Sequence, residues 1–76
     1  MLRELDRVVL TAAVRAEGLE SGDVGTVVHV YADGKAYEVE FTTLDGQVAA
    51  VATVEVANVH PVRRREITYA REPNAS

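Results

Sequence analysis

Two Asp-Gly pairs flank a run of alternating apolar and polar residues, and this arrangement constrains the fold more strongly than any other feature of the sequence. Asp33-Gly34 and Asp45-Gly46 are typical of type I′ hairpin turns, because both central residues of such a turn need positive φ. Between them, residues 36–42 alternate with period two, as expected of a half-buried antiparallel strand. The sequence therefore predicts a meander of strands joined by two tight turns.

Further runs rich in valine, broken by Gly and Asp, predict the other strands. They cover residues 7–11, 24–31, 47–54 and 59–62, and residues 66–70 are a candidate for a sixth strand. Residues 55–58 are expected to form a turn, for which one turn of 3-10 helix is one form. Pro61 lacks an amide proton, so the 59–62 strand should lie at a sheet edge or end there. Gly25 inside the second run indicates a bulge or a sharp bend.

The length of the chain, 76 residues, limits it to one small domain. Short strands in such a chain cannot form a sandwich of two large sheets, whereas closure into a barrel removes most exposed strand edges. The sequence therefore predicts an all-β fold, a small antiparallel barrel of five to six strands over residues 1–72, with residues 73–76 as a frayed tail. The expected core residues are Val8, Leu10, Val24, Val27, Val30, Tyr37, Val39, Phe41, Val48, Val51, Val59 and Val62.

Residues 48–54 carry no charged side chain and do not alternate strictly. We favour a central strand, covered on both faces, over a short helix, because hairpin signals flank the preceding run. One alternative is a strand at a pairing edge, since uncharged strands are poorly protected against edge pairing. Another is a small-residue patch, at which Ala49, Ala50 and Ala52 admit the backbone of a second chain.

Acidic residues dominate the body of the chain and basic residues its last part. The formal net charge is -4, and residues 1–62 hold four basic and ten acidic residues. Residues 63–76 reverse this balance with four arginines and two glutamates. An acidic body repels a phosphate backbone and attracts basic partners, although simple solubility is the alternative explanation.

Residue types that the sequence lacks disfavour several classes of function. The absence of cysteine excludes disulfides and thiolate metal sites. No apolar run approaches the roughly 20 residues of a membrane helix, and the N-terminus has no apolar signal region. We therefore expect a cytoplasmic protein that does not contact the membrane.

The candidate chemical groups are few. A zinc site would need both imidazoles, His29 and His60, together with Asp or Glu, and we expect each histidine to be a partly exposed strand residue instead. Ser21 lies in a Gly-Asp turn and has no histidine at a recognisable spacing. No convergent set of acid, base and nucleophile is visible, so we predict no catalytic residues, no metal site, no cofactor and no enzyme activity.

Two stretches of the sequence resemble known proteins. Residues 19–28, Leu-Glu-Ser-Gly-Asp-Val-Gly-Thr-Val-Val, resemble the entry to SH3-like barrels, including the KOW-type modules of ribosomal and transcription proteins. The segments LDRVVLT, GLESGDVGTVVHVYADGKAYEVEF, TLDGQ and VHPVRRREI occur in that order. Together they resemble a family of small bacterial proteins, the domain of unknown function 4926, from about Leu5 to Arg71.

This resemblance implies an SH3-like barrel without an assigned activity, and it transfers no functional residues. Members of the family are often encoded singly or beside small genes of toxin–antitoxin character, which implies a protein partner. We therefore predict a non-enzymatic protein-binding module, the accessory or antitoxin-like partner of a neighbouring gene product, present as a monomer or small homo-oligomer. The partner is expected to be basic and to contact Tyr31, Asp33, Glu38, Glu40 and Asp45.

Three other interpretations of the surface remain open. Glu38 and Glu40 share one strand face, which is either an acidic docking stripe or simply a solvated face. The runner-up function is nucleic-acid binding through Arg63, Arg64 and Arg65, with Tyr31 stacking on a base. The third function is that of a self-associating structural protein.

Overall fold

Five antiparallel strands form one sheet in the computed structural model, which describes residues 2–63, 65–67 and 70–72. The strands are β1 (Arg7–Leu10), β2 (Val24–Val30), β3 (Ala36–Thr42), β4 (Val48–Glu55) and β5 (Val59–Pro61). Their order in the sheet is β4-β3-β2-β1-β5, so the first strand pairs with both the second and the last. Two 3-10 turns accompany the strands, at Arg15–Glu17 and Val56–Asn58. The predicted all-β fold is confirmed.

The core lies on the inner face of the sheet, where alternate strand residues point. Side chains at period two on β3 are buried, and those between them are only half-buried. Seven predicted core residues are buried: Val8, Leu10, Val27, Tyr37, Val39, Phe41 and Val59. Val24, Val30 and Val62 are half-buried, and Leu19 joins the core although it was not predicted.

The prediction for the face of β4 was wrong. Val48 and Val51 were expected in the core but are 57% and 43% exposed. The buried residues of β4 are Ala50, Ala52 and Val54. They lie opposite Phe41, Val39 and Tyr37 of β3, respectively. Directly opposed residues share a face of the sheet, so the large side chains of β3 take most of the inner volume and alanines fill the rest.

The predicted central position of β4 was also wrong. β4 pairs with β3 on one side and, within the part of the chain that the structure describes, with no strand on the other. The Arg15–Glu17 turn approaches β4 without forming a strand pair with it. The β4 strand is therefore an edge strand, the alternative that its uncharged sequence had left open.

Both predicted hairpins are confirmed, but their turns are of a different type. The Gly34 N–H donates to the carbonyl of Tyr31, and the Gly46 N–H donates to the carbonyl of Thr43, each at 2.9 Å. Gly34 and Gly46 have φ of 70° and 89°, whereas the aspartates before them do not have positive φ. In the second hairpin the Thr43 N–H donates to the Gln47 carbonyl, so residues 44–46 form a three-residue loop that ends on a left-handed glycine. In the first hairpin the Tyr31 N–H donates to the Ala36 carbonyl, so the loop is longer by one residue, 32–35. Neither loop is a type I′ turn.

The remaining predictions have different outcomes. A 3-10 turn is present at Val56–Asn58, and β5, which contains Pro61, lies at a sheet edge. Of the two alternatives for Gly25, a bulge or a sharp bend, the bulge is wrong, because the register of β2 shifts between Val27 and His29 instead. Of the candidate sixth strand, the described residues 66, 67 and 70 are not in a strand, and Thr68 and Tyr69 lie outside the described residues. The predicted frayed tail, 73–76, also lies outside them.

Candidate functional site

A polar and apolar surface covers the outer side of β2, β3 and β4, opposite the core. We call it the outer face, and it consists of Thr26, His29, Tyr31, Glu38, Glu40, Val51 and Thr53. Strand register places Glu38 between His29 and Thr53, and Glu40 between Thr26 and Val51. The two glutamates thus form the middle column of this face.

The bulge in β2 determines which aromatic groups belong to the outer face. The register shift between Val27 and His29 inserts Val28 as an extra residue. One extra residue reverses the alternation of everything that follows, so His29 and Tyr31 point outward while Val30 packs against the core. Without the bulge, Tyr31 would point into the barrel.

Glu38 connects the three strands through hydrogen bonds. Its Oε1 accepts a hydrogen bond from the Tyr31 hydroxyl at 3.2 Å and another from the Thr53 hydroxyl at 2.7 Å. The His29 ring meets the Tyr31 ring edge to face, with centroids 4.9 Å apart. Tyr31 is therefore held by two neighbouring side chains while 38% of it stays exposed.

The other predicted partner-binding residues lie at different distances from this cluster. Asp33 lies in the β2–β3 turn, where its Oδ1 accepts the Lys35 N–H at 3.0 Å. A shallow depression extends from Asp33 to Tyr31 and Thr53. It is lined by Tyr31, Ala32, Asp33, Ala36 and Thr53. Glu40 lies one position further along the outer face, beside Val51.

Asp45 lies apart from these residues, in the β3–β4 turn at the opposite end of β3. Its carboxylate accepts a hydrogen bond from the Thr43 hydroxyl. This hydrogen bond holds the pKa of Asp45 below its ordinary value, with a smaller contribution from the Gln47 backbone N–H. Asp45 therefore stabilises its own turn, and the structure does not bring it to Tyr31.

The arginine segment that follows β5 has an acidic residue in its midst. The Glu66 carboxylate accepts the Arg63 backbone N–H at 2.6 Å and lies 3.7 Å from His60 Nε2. Arg63 and Arg65 are exposed, and Arg64 lies outside the described residues. In the sheet, β1 separates β5 from β2, the strand that leads to Tyr31. The two parts of the predicted nucleic-acid surface are therefore not on neighbouring strands.

The two histidines do not come together. His29 is on β2 and His60 on β5, with β1 between them. Over residues 2–63, 65–67 and 70–72, no cluster of three or more metal-binding side chains is present. In the same residues, no helix has the length and apolar character needed to cross a membrane.

Sequence reasoning missed one interaction altogether. Arg71, near the end of the described chain, forms an ion pair with Asp23 across 48 residues of sequence. Both side chains are largely buried, at 14% and 12% exposed. The excess of arginines after residue 62 was the only signal in the sequence, and it does not identify the acidic partner.

The strand order, the two tight hairpins and the 3-10 turn before β5 are those of a small SH3-like β-barrel. Its sheet is open, because β4 and β5 do not pair with each other in the part of the chain that the structure describes. Within that class, the sequence profile of the Domain of unknown function (DUF4926) matches residues 4–61, and the chain belongs to this family. The resemblance seen in the sequence is thereby confirmed over these residues. No curated protein and no solved structure matches the chain.

Proposed function

We propose that this chain is a non-enzymatic protein-binding module that takes up an extended segment of a partner along the outer edge of β4. The observation that carries the proposal is that β4 is an eight-residue edge strand whose residues 48–54 have no charge. Soluble proteins usually protect such an edge with lysine, proline or a covering element. Among the described residues, the Arg15–Glu17 turn approaches β4 but no strand pairs with its outer edge. Such an edge offers backbone N–H and C=O groups to an added strand, a recognised mode of peptide recognition.

The chemistry of the outer face favours a basic partner. Glu55 ends β4 itself, and Glu38 lies opposite Thr53 on the neighbouring strand. A lysine or arginine beside Thr53 on the added strand would start about 10 Å from Glu38, two strand spacings away, and its side chain can cover most of that distance. The acidic body would also increase the association rate.

Tyr31 adds an apolar anchor to this surface. Its ring is fixed by Glu38 and His29 and borders the depression that reaches Thr53 of β4. A partner strand on β4 would place side chains beside this depression. The family resemblance implies that the partner is the product of a neighbouring gene in a bacterial cytoplasm. This chain would then be its accessory or antitoxin-like partner.

The experiment begins with a pull-down of the tagged full-length chain from nuclease-treated host lysate, followed by mass spectrometry. The captured protein is then purified, and amide hydrogen exchange is measured in the complex. We expect the amides of β4 to be protected on binding, because an added strand would hydrogen-bond them.

Two matched variants locate the interaction. Val51→Lys places a charge on the outer face of the edge strand, and Val28→Lys places one at the bulge of the interior strand β2, at similar exposure. We expect Val51→Lys to weaken binding about tenfold or more, equivalent to losing about 1.4 kcal/mol, and Val28→Lys to have little effect.

Other outcomes would contradict the proposal. Equal loss from both variants, or protection confined to residues outside β4, would show that binding does not use this edge. Capture that requires nucleic acid, with protection at 63–66, would favour the arginine segment instead. Light scattering of the purified chain would reveal the third alternative, stable self-association without any partner.

A further inference from the structure

The loop that leads into β2 holds the side chain of Arg71 through several directed contacts. We call residues 18–23 the 18–23 loop. Arg71 Nε donates to Asp23 Oδ1 at 2.9 Å, and Nη2 donates to Asp23 Oδ2 at 2.5 Å. Nη2 also donates to the Gly18 carbonyl at 2.8 Å, and Nη1 lies 3.6 Å from Glu20 Oε2. Nη1 further donates to the Glu72 carbonyl at 3.2 Å.

The acceptors of this site are positioned without help from Arg71. Asp23 Oδ2 accepts the Glu20 backbone N–H at 2.9 Å, which fixes the carboxylate within its own turn. The same turn is anchored to β1, because the Leu10 N–H donates to the Asp23 carbonyl and the Gly22 N–H to the Leu10 carbonyl. A carboxylate that is already oriented by its own turn loses little freedom when a cation binds.

The arrangement of acceptors is selective for guanidinium. The two carboxylate oxygens of Asp23 accept from two nitrogens of the planar Arg71 guanidinium. The Gly18 carbonyl accepts another N–H of the same guanidinium. A lysine ammonium is a single point charge and cannot form the paired contacts to Asp23 while it also reaches Gly18.

The site and its occupant belong to different parts of the chain. The 18–23 loop lies within residues 4–61, which the family profile matches, whereas Arg71 lies beyond this match. We propose that the 18–23 loop is an arginine-binding site of the barrel, that Arg71 occupies it in cis, and that an arginine side chain of another protein binds there when Arg71 is displaced. This proposal is independent of the β4 edge and does not rest on it.

Small model ligands test this site in the full-length chain. N-acetylarginine amide and N-acetyllysine amide are titrated against the wild type and Arg71→Ala, with the Glu20 amide followed by NMR because it bonds to Asp23. We expect Arg71→Ala to bind the arginine amide saturably and the lysine amide far more weakly. The wild type should bind the arginine amide at least about tenfold more weakly than Arg71→Ala, because its own side chain competes.

Three controls complete the experiment. Arg71→Gln removes the guanidinium but keeps a shorter polar side chain, so the test does not depend on one variant folding. Arg65→Ala removes an exposed arginine of the same segment and should behave like the wild type. Asp23→Asn combined with Arg71→Ala should abolish binding of the arginine amide.

The proposal is overturned by any of three results. Neither Arg71 variant binds the arginine amide, or both ligands bind equally well, or Arg65→Ala gains as much affinity as Arg71→Ala. In each case the Asp23–Arg71 pair serves only to hold the end of the chain against the barrel.

Discussion

Gly25 of β2 lies so close to Val39 of β3 that no side chain fits between them. A methyl group on Gly25 would lie 2.6 Å from Val39 Cγ1, 2.8 Å from Phe41 Cε2 and 2.9 Å from the Glu40 carbonyl oxygen. Val39 is fully buried and Phe41 is 3% exposed, so neither can move without disturbing the core. The glycine is therefore required for the close approach of the two strands.

Gly25→Ala should lower the free energy of unfolding by about 2–3 kcal/mol, the cost of overpacking a dense core. Gly46→Ala is the matched control, because nothing lies near its methyl group and only its φ of 89° is unfavourable. That variant should lose about 1 kcal/mol. Urea denaturation of both measures the difference, and an equal loss would show that the contact with Val39 is not tight.

The hairpins could be predicted because their signals are local. Period-two alternation and the two Asp-Gly pairs act within a few residues, and β3 has the predicted bounds, Ala36–Thr42. Which residues of β4 are buried could not be predicted in this way, since a run of valine and alanine does not alternate between polar and apolar residues. The large side chains opposite it, such as Phe41, decide which of its residues are buried.

In the candidate site, too, residues could be predicted from the sequence but their contacts could not. Tyr31 and Glu38 were both named from the sequence, but their hydrogen bond depends on the bulge after Val27, which no residue pattern marks. The pairing of Asp23 with Arg71 spans 48 residues, and no periodicity extends that far. Contacts set by cross-strand register or by a returning chain end need the tertiary structure.

The facing of β4 can be tested by truncating two of its valines. Val54→Ala removes two methyl groups that are 2% exposed in the core and should lower the free energy of unfolding by about 1.5–3 kcal/mol. Val51→Ala removes the same groups from the outer face, where the residue is 43% exposed. This variant should change the free energy of unfolding by less than about 0.5 kcal/mol. If the ranking were reversed in thermal or urea unfolding, the register of β4 would be wrong.

Asp45 provides a pH-dependent prediction. The Thr43 hydrogen bond lowers its pKa from the ordinary value of 3.8 in the folded chain, so the folded state favours the ionised form. Its contribution to stability is therefore present above pH 3.8 and is lost as the pH falls through the lowered pKa. Thr43→Val should raise the pKa of Asp45 towards 3.8, as measured by NMR titration of its carboxyl carbon.

The control for this titration is Thr43→Ser, which keeps the hydroxyl that donates to the Asp45 carboxylate and should leave the pKa of Asp45 lowered. An unaltered Asp45 pKa in Thr43→Val would mean that the Thr43 hydroxyl does not bond to the carboxylate in solution.

Arg71→Lys keeps the charge near Asp23 but removes the planar fork. The paired contacts at 2.9 and 2.5 Å and the contact with the Gly18 carbonyl cannot all be formed by an ammonium group. We expect the free energy of unfolding to fall by about 1–2 kcal/mol, the range for hydrogen bonds to charged groups with part of the charge attraction retained. Arg65→Lys, on an exposed arginine of the same segment, should change the free energy of unfolding by less than about 0.5 kcal/mol.

A double-mutant cycle that combines Arg71→Lys with Asp23→Asn should give a coupling energy of about 1–3 kcal/mol, because the two side chains are in direct contact. Additive losses would contradict the ion pair and with it the anchoring of the chain end.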